Sequence, residues 1–116
     1  MKQGKVWGET TLLLKNSFIE IHKIIIKPNS YCSLHKHEHK WNAFFVHSGV
    51  LYIETNKNDY DLMDTTTLNA GEFTTVKPNE FHRFVTKGST VEALEIYYPE
   101  GISEDIIRKT VGGTVE

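Results

Sequence analysis

Three of the six histidines in this 116-residue sequence stand at alternate positions, His35, His37 and His39, and His47 follows a few residues on. Residues two apart in an extended chain share a face, so these imidazoles can point the same way. Imidazole is the commonest protein ligand for divalent transition metals, and two or three on one face supply most of a coordination shell. The interleaved Lys36, Glu38 and Lys40 would suit a plain solvated turn equally well. A second stretch tips the balance. In Lys77-Pro78-Asn79-Glu80-Phe81-His82 a Pro-Asn turn runs straight into a strand that begins with an aromatic and a histidine. The turn fixes where the His82 ring points, and a second strand could bring it to His35 and His37. His39 is expected in the turn beyond them, His47 at a strand end or interface, and His22 in a structural or exposed position.

The elements that must position these residues are short. Thr10 to Leu14 is an apolar run closed by the polar turn Lys15-Asn16-Ser17, and Phe18 to Lys27 is rich in isoleucine. Ile19 and Ile21 fall on one face of that stretch and Ile24 and Ile26 on the other. The change of phase predicts a bulge near His22-Lys23 or a strand covered on both faces. Tyr31 to Lys36 and Ala43 to Val46 read as further strands, and Val50 to Thr55 alternates cleanly after Ser48-Gly49, as a hairpin would. Asn56 to Asp64 reads as a loop. Thr65 to Leu68, Phe73 to Val76, Phe81 to Thr86 and Val91 to Tyr98 complete a series of strands separated by turn residues. Such a series predicts an all-β antiparallel sandwich or barrel. Ser103 as N-cap, Glu104 and Asp105 in the first turn and Gly112-Gly113 beyond predict one short C-terminal helix.

Composition bounds the rest. At 13.3 kDa the expectation is one domain, residues 1–116, with a real core. A formal charge of −2 gives no electrostatic reason to expect nucleic acid or an anionic membrane as partner. No apolar run is long enough to span a bilayer, and Met1 to Gly8 lacks the apolar core of a secretory leader. The single Cys32 cannot form an internal disulfide and fits a cytoplasmic location.

With those residues in view, the sequence resembles the cupins. The run His35-x-His37, Asn42, Gly49, followed by Gly71, Pro78-Asn79 and His82, is similar to that family's two motifs, where His-x-His precedes a Glu and a Gly, and a later Gly, Pro and turn Gly precede a His. The resemblance implies a double-stranded β-helix, the jelly-roll barrel, with a divalent transition metal such as zinc, nickel, iron or manganese held in its mouth by His35, His37, His82 and Asn42. Two positions depart from the motif. Asn79 replaces the turn Gly, and Asn tolerates a left-handed backbone better than most residues. Asn42 replaces the Glu, and an amide oxygen is a weaker, neutral ligand that cannot act as a base. A further resemblance, carried by Val6-Trp7-Gly8, Ile24 to Pro28, His82-Arg83, Leu94-Glu95-Ile96 and Glu104 to Arg108, is to the cupin domain of type II mannose-6-phosphate isomerases. That family has Gln at the position of His35 and Glu at that of Asn42, and its nucleotidyl-transfer half has no counterpart in these residues.

Three functional readings follow. The first is a metal-dependent enzyme, isomerase-like, acting on a sugar or sugar phosphate. The metal would polarise an oxygen while a separate base moves a proton, and Glu95 is the weakly preferred base among Glu38, Glu54, Glu80, Glu92 and Glu95. The second is an Fe(II) dioxygenase using the same histidines. The third is a non-enzymatic module in which metal and barrel simply hold a carbohydrate or other small ligand. A homodimer is expected, because a small barrel has open edges and an apolar outer face that need cover.

Overall fold

The computed structural model describes residues 1–56, 62–99 and 107–115 and folds them into nine strands with no helix among the described residues. They are β1 (Lys2–Lys5), β2 (Gly8–Lys15), β3 (Glu20–Ile26), β4 (Trp41–Ser48), β5 (Leu51–Asn56), β6 (Met63–Leu68), β7 (Phe73–Val76), β8 (Phe81–Val85) and β9 (Val91–Tyr98). Six form one antiparallel sheet in the order β1-β2-β3-β9-β4-β7, and three form a second in the order β6-β5-β8. The inner faces of the two sheets enclose one core of Ile24, Ile26, Phe44, Val46, Leu51, Ile53, Leu68, Val76, Phe84, Val91 and Ala93, with Cys32 and Trp7 against it. Period-two alternation generates this directly: Leu51, Ile53 and Thr55 of β5 are buried while Tyr52 and Glu54 lie nearer solvent. The fold is the β-barrel that the strand series predicts.

The registers of β3 explain its isoleucines. β3 pairs with β9 without interruption, Glu20 opposite Tyr97, His22 opposite Glu95, Ile24 opposite Ala93 and Ile26 opposite Val91. Ile24 and Ile26 face the core, while Ile21 and Ile25 lie on the outer face, half-buried. The strand is therefore covered in part on both faces. The irregularity expected at His22-Lys23 sits in the neighbouring strand instead, at Leu13, where the β2–β3 register shifts opposite His22 and Ile21.

Other expectations are corrected. Ser48-Gly49 does not close a hairpin: β4 belongs to the large sheet and β5 to the small one, so the turn carries the chain between sheets. Tyr31 to Lys36 forms no continuous strand and is tied down at isolated bridges, Tyr31 to Val85 and His35 to His82. β1 has no apolar pattern to announce it and forms by pairing with β2. The start of the expected C-terminal helix, Ser103 to Ile106, lies outside the described residues, and residues 107–115, where it would continue, carry no helix. None of the described helices is long and apolar enough to cross a membrane, there being none.

The sheet-crossing turn yields a direct test. Gly49 has φ of +85°, and a Cβ there would lie 2.4 Å from the Thr90 carbonyl oxygen. Both the left-handed backbone and the contact oppose a side chain. Gly49→Ala is expected to lower unfolding free energy by about 1–3 kcal/mol, as read by urea denaturation; an unchanged midpoint would show that the turn relaxes freely.

Candidate metal centre

The three imidazoles of His35, His37 and His82 meet at one end of the barrel. One nitrogen from each lies within 4.8 Å of the others, and the ring centroids are 4.6 to 5.6 Å apart. Two chain segments far apart in sequence build the cluster. A reciprocal backbone pair joins them: His35 N–H donates to His82 O at 3.1 Å and His82 N–H to His35 O at 2.8 Å. Asn79 N–H adds a 2.7 Å bond to His37 O. The turn ahead of β8 is possible because Asn79 accepts φ of +68°, the left-handed conformation expected of an Asn standing in for Gly.

The hydrogen bonds decide which nitrogens are free. His35 Nδ1–H donates to Ser33 O at 2.7 Å, and His82 Nδ1–H donates to Glu80 O at 2.9 Å. Each bond fixes the tautomer and leaves the Nε2 lone pair facing the cluster. His37 Nε2 is buried and has no hydrogen-bond partner among the described residues. Burial, then the neighbouring His35 and His82 imidazoles, push His37 down to about 4, and burial lowers His82 as well. Both rings are thus neutral near pH 7, the form that ligates metal.

Asn42, the first inward residue of β4, is 1% exposed and lies beside His82. Its Nδ2–H donates to Ile96 O at 3.2 Å, so its Oδ1 is the atom that faces His82 Nε2, at 3.0 Å. Turning the amide over would set its oxygen against the Ile96 carbonyl. With His82 Nδ1 already donating, neither Oδ1 nor Nε2 has a proton to offer the other. Two lone pairs at that distance repel unless a cation lies near both. The residues present therefore fit a divalent ion: neutral imidazoles, an orphaned buried nitrogen and an amide oxygen with no donor. Metal–nitrogen bonds of about 2.1 Å need nitrogens roughly 3 to 3.5 Å apart, so small ring rotations would close the cluster.

His35 and His37 also line a cavity of about 340 Å³ that runs into the barrel. Its far wall is polar: Glu20 and His22 from β3, Glu95 and Tyr97 from β9, and Thr10 from β2. Burial raises the Glu95 carboxyl above the usual carboxylate range, with the Tyr97 hydroxyl donating to it and opposing that rise. Burial and the Glu95 carboxylate raise Tyr97 strongly in turn. His22 lies in this wall rather than in a purely structural place, and Glu20, Thr10 and Tyr97 carry no motif that would single them out. His39 is exposed and apart from the cluster, its Nε2 3.7 Å from the Glu38 carboxylate. His47 is exposed at the point where the β4–β9 register slips. Cys32 is buried against β8, its thiol pushed up to about 11 by burial.

A two-sheet antiparallel barrel with three imidazoles inside one end defines a class of small metal-site barrels. Residues 22–97 match the family described as cupin domain, and the chain belongs to that family. Similar solved structures include KdgF from Halomonas sp., at 12% identity and TM-score 0.73 over 87% of this chain and 89% of that one. The cupin domain of Cnp3 from Schizosaccharomyces pombe is similar at 10% identity and TM-score 0.71, over 83% and 67%. CapF, the capsular polysaccharide assembling protein of Staphylococcus aureus, aligns with 89% of this chain at 19% identity and TM-score 0.75, but this chain spans only 31% of its length. These likenesses speak for the fold alone. No curated protein matches the chain.

Asn42 offers the sharpest test of the cluster. Glu in its place would put a full negative charge a few ångströms from the ion, an interaction of several kcal/mol even at an effective dielectric of about 20. Asn42→Glu is expected to bind zinc or nickel more tightly than wild type in calorimetric titration of metal-free protein. Equal affinities would remove Asn42 from the metal's surroundings and leave a plain three-histidine site.

Proposed function

We propose that residues 1–116 act as one metal-dependent cupin domain on a small polar metabolite, most simply a sugar or sugar phosphate, by isomerase-like proton transfer. One observation carries this reading: two imidazoles of the three-histidine cluster, His35 and His37, line a cavity that is also lined by a buried carboxyl, Glu95. His35, His37 and His82 would hold the ion, with Asn42 Oδ1 beside it. A bound divalent ion would supply Lewis-acid polarisation of a ligand oxygen. Glu95, held above the usual carboxylate range by its burial, is the group suited to give and take the proton. The hydroxyl of Tyr97 orients that carboxyl, and the Tyr97 ring packs 5.0 Å from the His37 ring, tying the two ends of the cavity together. With Asn42 in place of a carboxylate, a loaded site would carry one more positive charge, which favours anionic ligands. The resemblance to the cupin domain of type II mannose-6-phosphate isomerases supports the substrate class. The same absent carboxylate also favours a second reading, a module that binds metal and carbohydrate without turnover.

The experiment is elemental analysis of untreated protein followed by assays on the loaded form. About one zinc, nickel or manganese ion per chain, with proton exchange at the carbon next to the carbonyl of a ketose or aldose phosphate that Glu95→Gln abolishes, is the expected result. Bound metal without exchange would favour the binding module, iron with oxygen uptake would favour the dioxygenase, and no metal retained after dialysis would sink the metal reading.

We propose a homodimer for the same chain, and a cytoplasmic setting in keeping with its free buried thiol. The outer face of the six-stranded sheet supports the dimer, since Phe45 stands opposite Leu94 and Phe73 there and Ile96 opposite Ile21. Phe73 is 68% exposed. β1 leaves an open edge beside that face. Light scattering at micromolar concentration should give about twice 13.3 kDa. A monomer mass would refute the dimer.

A further inference from the structure

The inner face of the β3–β9 pair changes character along its length. Ile24, Ala93, Ile26 and Val91 make up its two inner rungs and are wholly buried. The next two rungs, His22 with Glu95 and Glu20 with Tyr97, are polar without exception. Packing does not ask for this, because two more apolar rungs would extend the same core. Polar and charged groups turned into a barrel cost free energy unless they are partnered or serve a ligand.

The polar rungs are partnered mainly among themselves, with Lys15 Nζ 3.8 Å from Glu20 Oε1 at the edge, and their carboxylates keep lone pairs that can accept from a guest. His22 Nε2 and Glu20 Oε2 are 2.5 Å apart, and His22 Nδ1 is 3.4 Å from Thr10 Oγ1. The hydrogen bond from His22 is the first cause holding the Glu20 carboxyl below its usual range. Across the pair, Tyr97 donates to Glu95. Tyr97 stands between the two ends of the cavity, its ring 5.0 Å from that of His37 and 6.1 Å from that of His22. The Lys40 ammonium lies 4.6 Å over the Tyr97 ring at the rim. A second hollow of about 230 Å³ adjoins the cavity and shares Glu20, Lys40 and Tyr97 with it. The polar wall thus borders two hollows, and the imidazole cluster borders one of them.

We propose that Glu20, His22, Glu95 and Tyr97 form a hydroxyl-binding subsite, and that the cavity selects elongated small molecules with an anionic or carbonyl oxygen at one end and hydroxyl groups at the other. The oxygen end is held at the imidazole cluster, which rests on the metal reading above. The hydroxyl end is held by the carboxylates, which accept its O–H, and by the Tyr97 hydroxyl. An alkyl chain of the same length leaves those acceptors dehydrated and unpaired, which costs more than the bond gained with a hydroxyl. Lys40 adds a cation on the path an anionic ligand takes inward.

Calorimetry on the zinc-loaded full chain tests this, with a graded series of ω-hydroxycarboxylates, from glycolate upward, against the alkanoates of equal length. Zinc content is measured on every sample. Short pairs should bind alike, and from the length that reaches the wall the hydroxy compound should bind about tenfold tighter, the worth of one well-made hydrogen bond. In Glu95→Gln and Glu20→Gln, both close in shape to the native residue, that advantage should fall to about threefold or less, while zinc content and alkanoate affinity hold. Equal affinities at every length, an advantage that survives both substitutions, or no binding of any compound to zinc-loaded protein would each overturn the subsite. Wild-type protein that holds no zinc would overturn the metal reading, and the subsite, lacking its anchored end, would fall with it.

Discussion

The reciprocal backbone pair of His35 with His82 sets the imidazoles of the candidate site side by side. The two bonds join a segment without regular strand structure to the start of strand β8. The Tyr31–Val85 bridge and the bond from Cys32 N–H to Phe84 O continue the same join away from the rings. Antiparallel bridges of this kind bring the facing side chains close on one side of the ladder, so the histidine rings meet without further machinery. The bond from Asn79 N–H to His37 O extends the clamp to the next histidine. Both chain segments need tight local geometry to reach it, and the left-handed Asn79 supplies it on one side. Metal affinity and the integrity of this clamp are therefore coupled: binding an ion to all three rings favours the bridged arrangement, and anything that opens the bridge loosens the ion.

The barrel divides its labour along its axis. At one end paired apolar rungs, with Phe44, Val46, Leu51 and Ile53 from the other strands, supply the burial that stabilises the fold, each large side chain contributing about 1.5–3 kcal/mol before the unfolded chain's own burial is discounted. At the other end the same strands carry His22, Glu20, Glu95, Tyr97 and Asn42. Because the strands are continuous, the stable half sets the register of the polar half. A slip of one residue would turn every polar group outward. The slips that do occur, at Leu13 in β2 and His47 in β4, fall on neighbouring strands and leave the β3–β9 ladder regular.

Much of this was legible in the sequence, for physical reasons that differ from place to place. The extents of β7 and β9 follow from short runs of strand-forming residues bounded by turn residues. His35, His37 and His82 were visible because metal-ligand spacing and a Pro-Asn turn leave local marks. The polar wall left none. Glu20 and His22 share parity with Ile24 and Ile26, but the isoleucines at 19 and 21 draw attention to the opposite face, and the meaning of the polar pair depends on Glu95 and Tyr97, more than seventy residues along the chain. Ser48-Gly49 looked like a hairpin because local alternation cannot say whether the strands on either side share a sheet. That depends on which strands β4 and β5 find as partners, β7 and β9 for one and β6 and β8 for the other.

Asn42 shows how the fold and the site constrain each other. Its position is 1% exposed, opposite Tyr97 on one side and Val76 on the other. An ionised carboxylate there would be costly whenever no ion was bound, since a buried charge without a partner loses far more hydration than a buried amide. It would also leave the Ile96 carbonyl without the donor that Asn42 Nδ2 provides. The amide lowers that cost and keeps one of its two functions satisfied by β9 whether or not the site is loaded. Its oxygen is then left facing His82 Nε2, a modest repulsion that a cation would turn into attraction. The chain thereby gains a barrel that is less dependent on metal for its stability, at the expense of a strong anionic ligand. A loaded site would keep more of the ion's charge unneutralised, and that charge would fall on whatever ligand enters from the cavity.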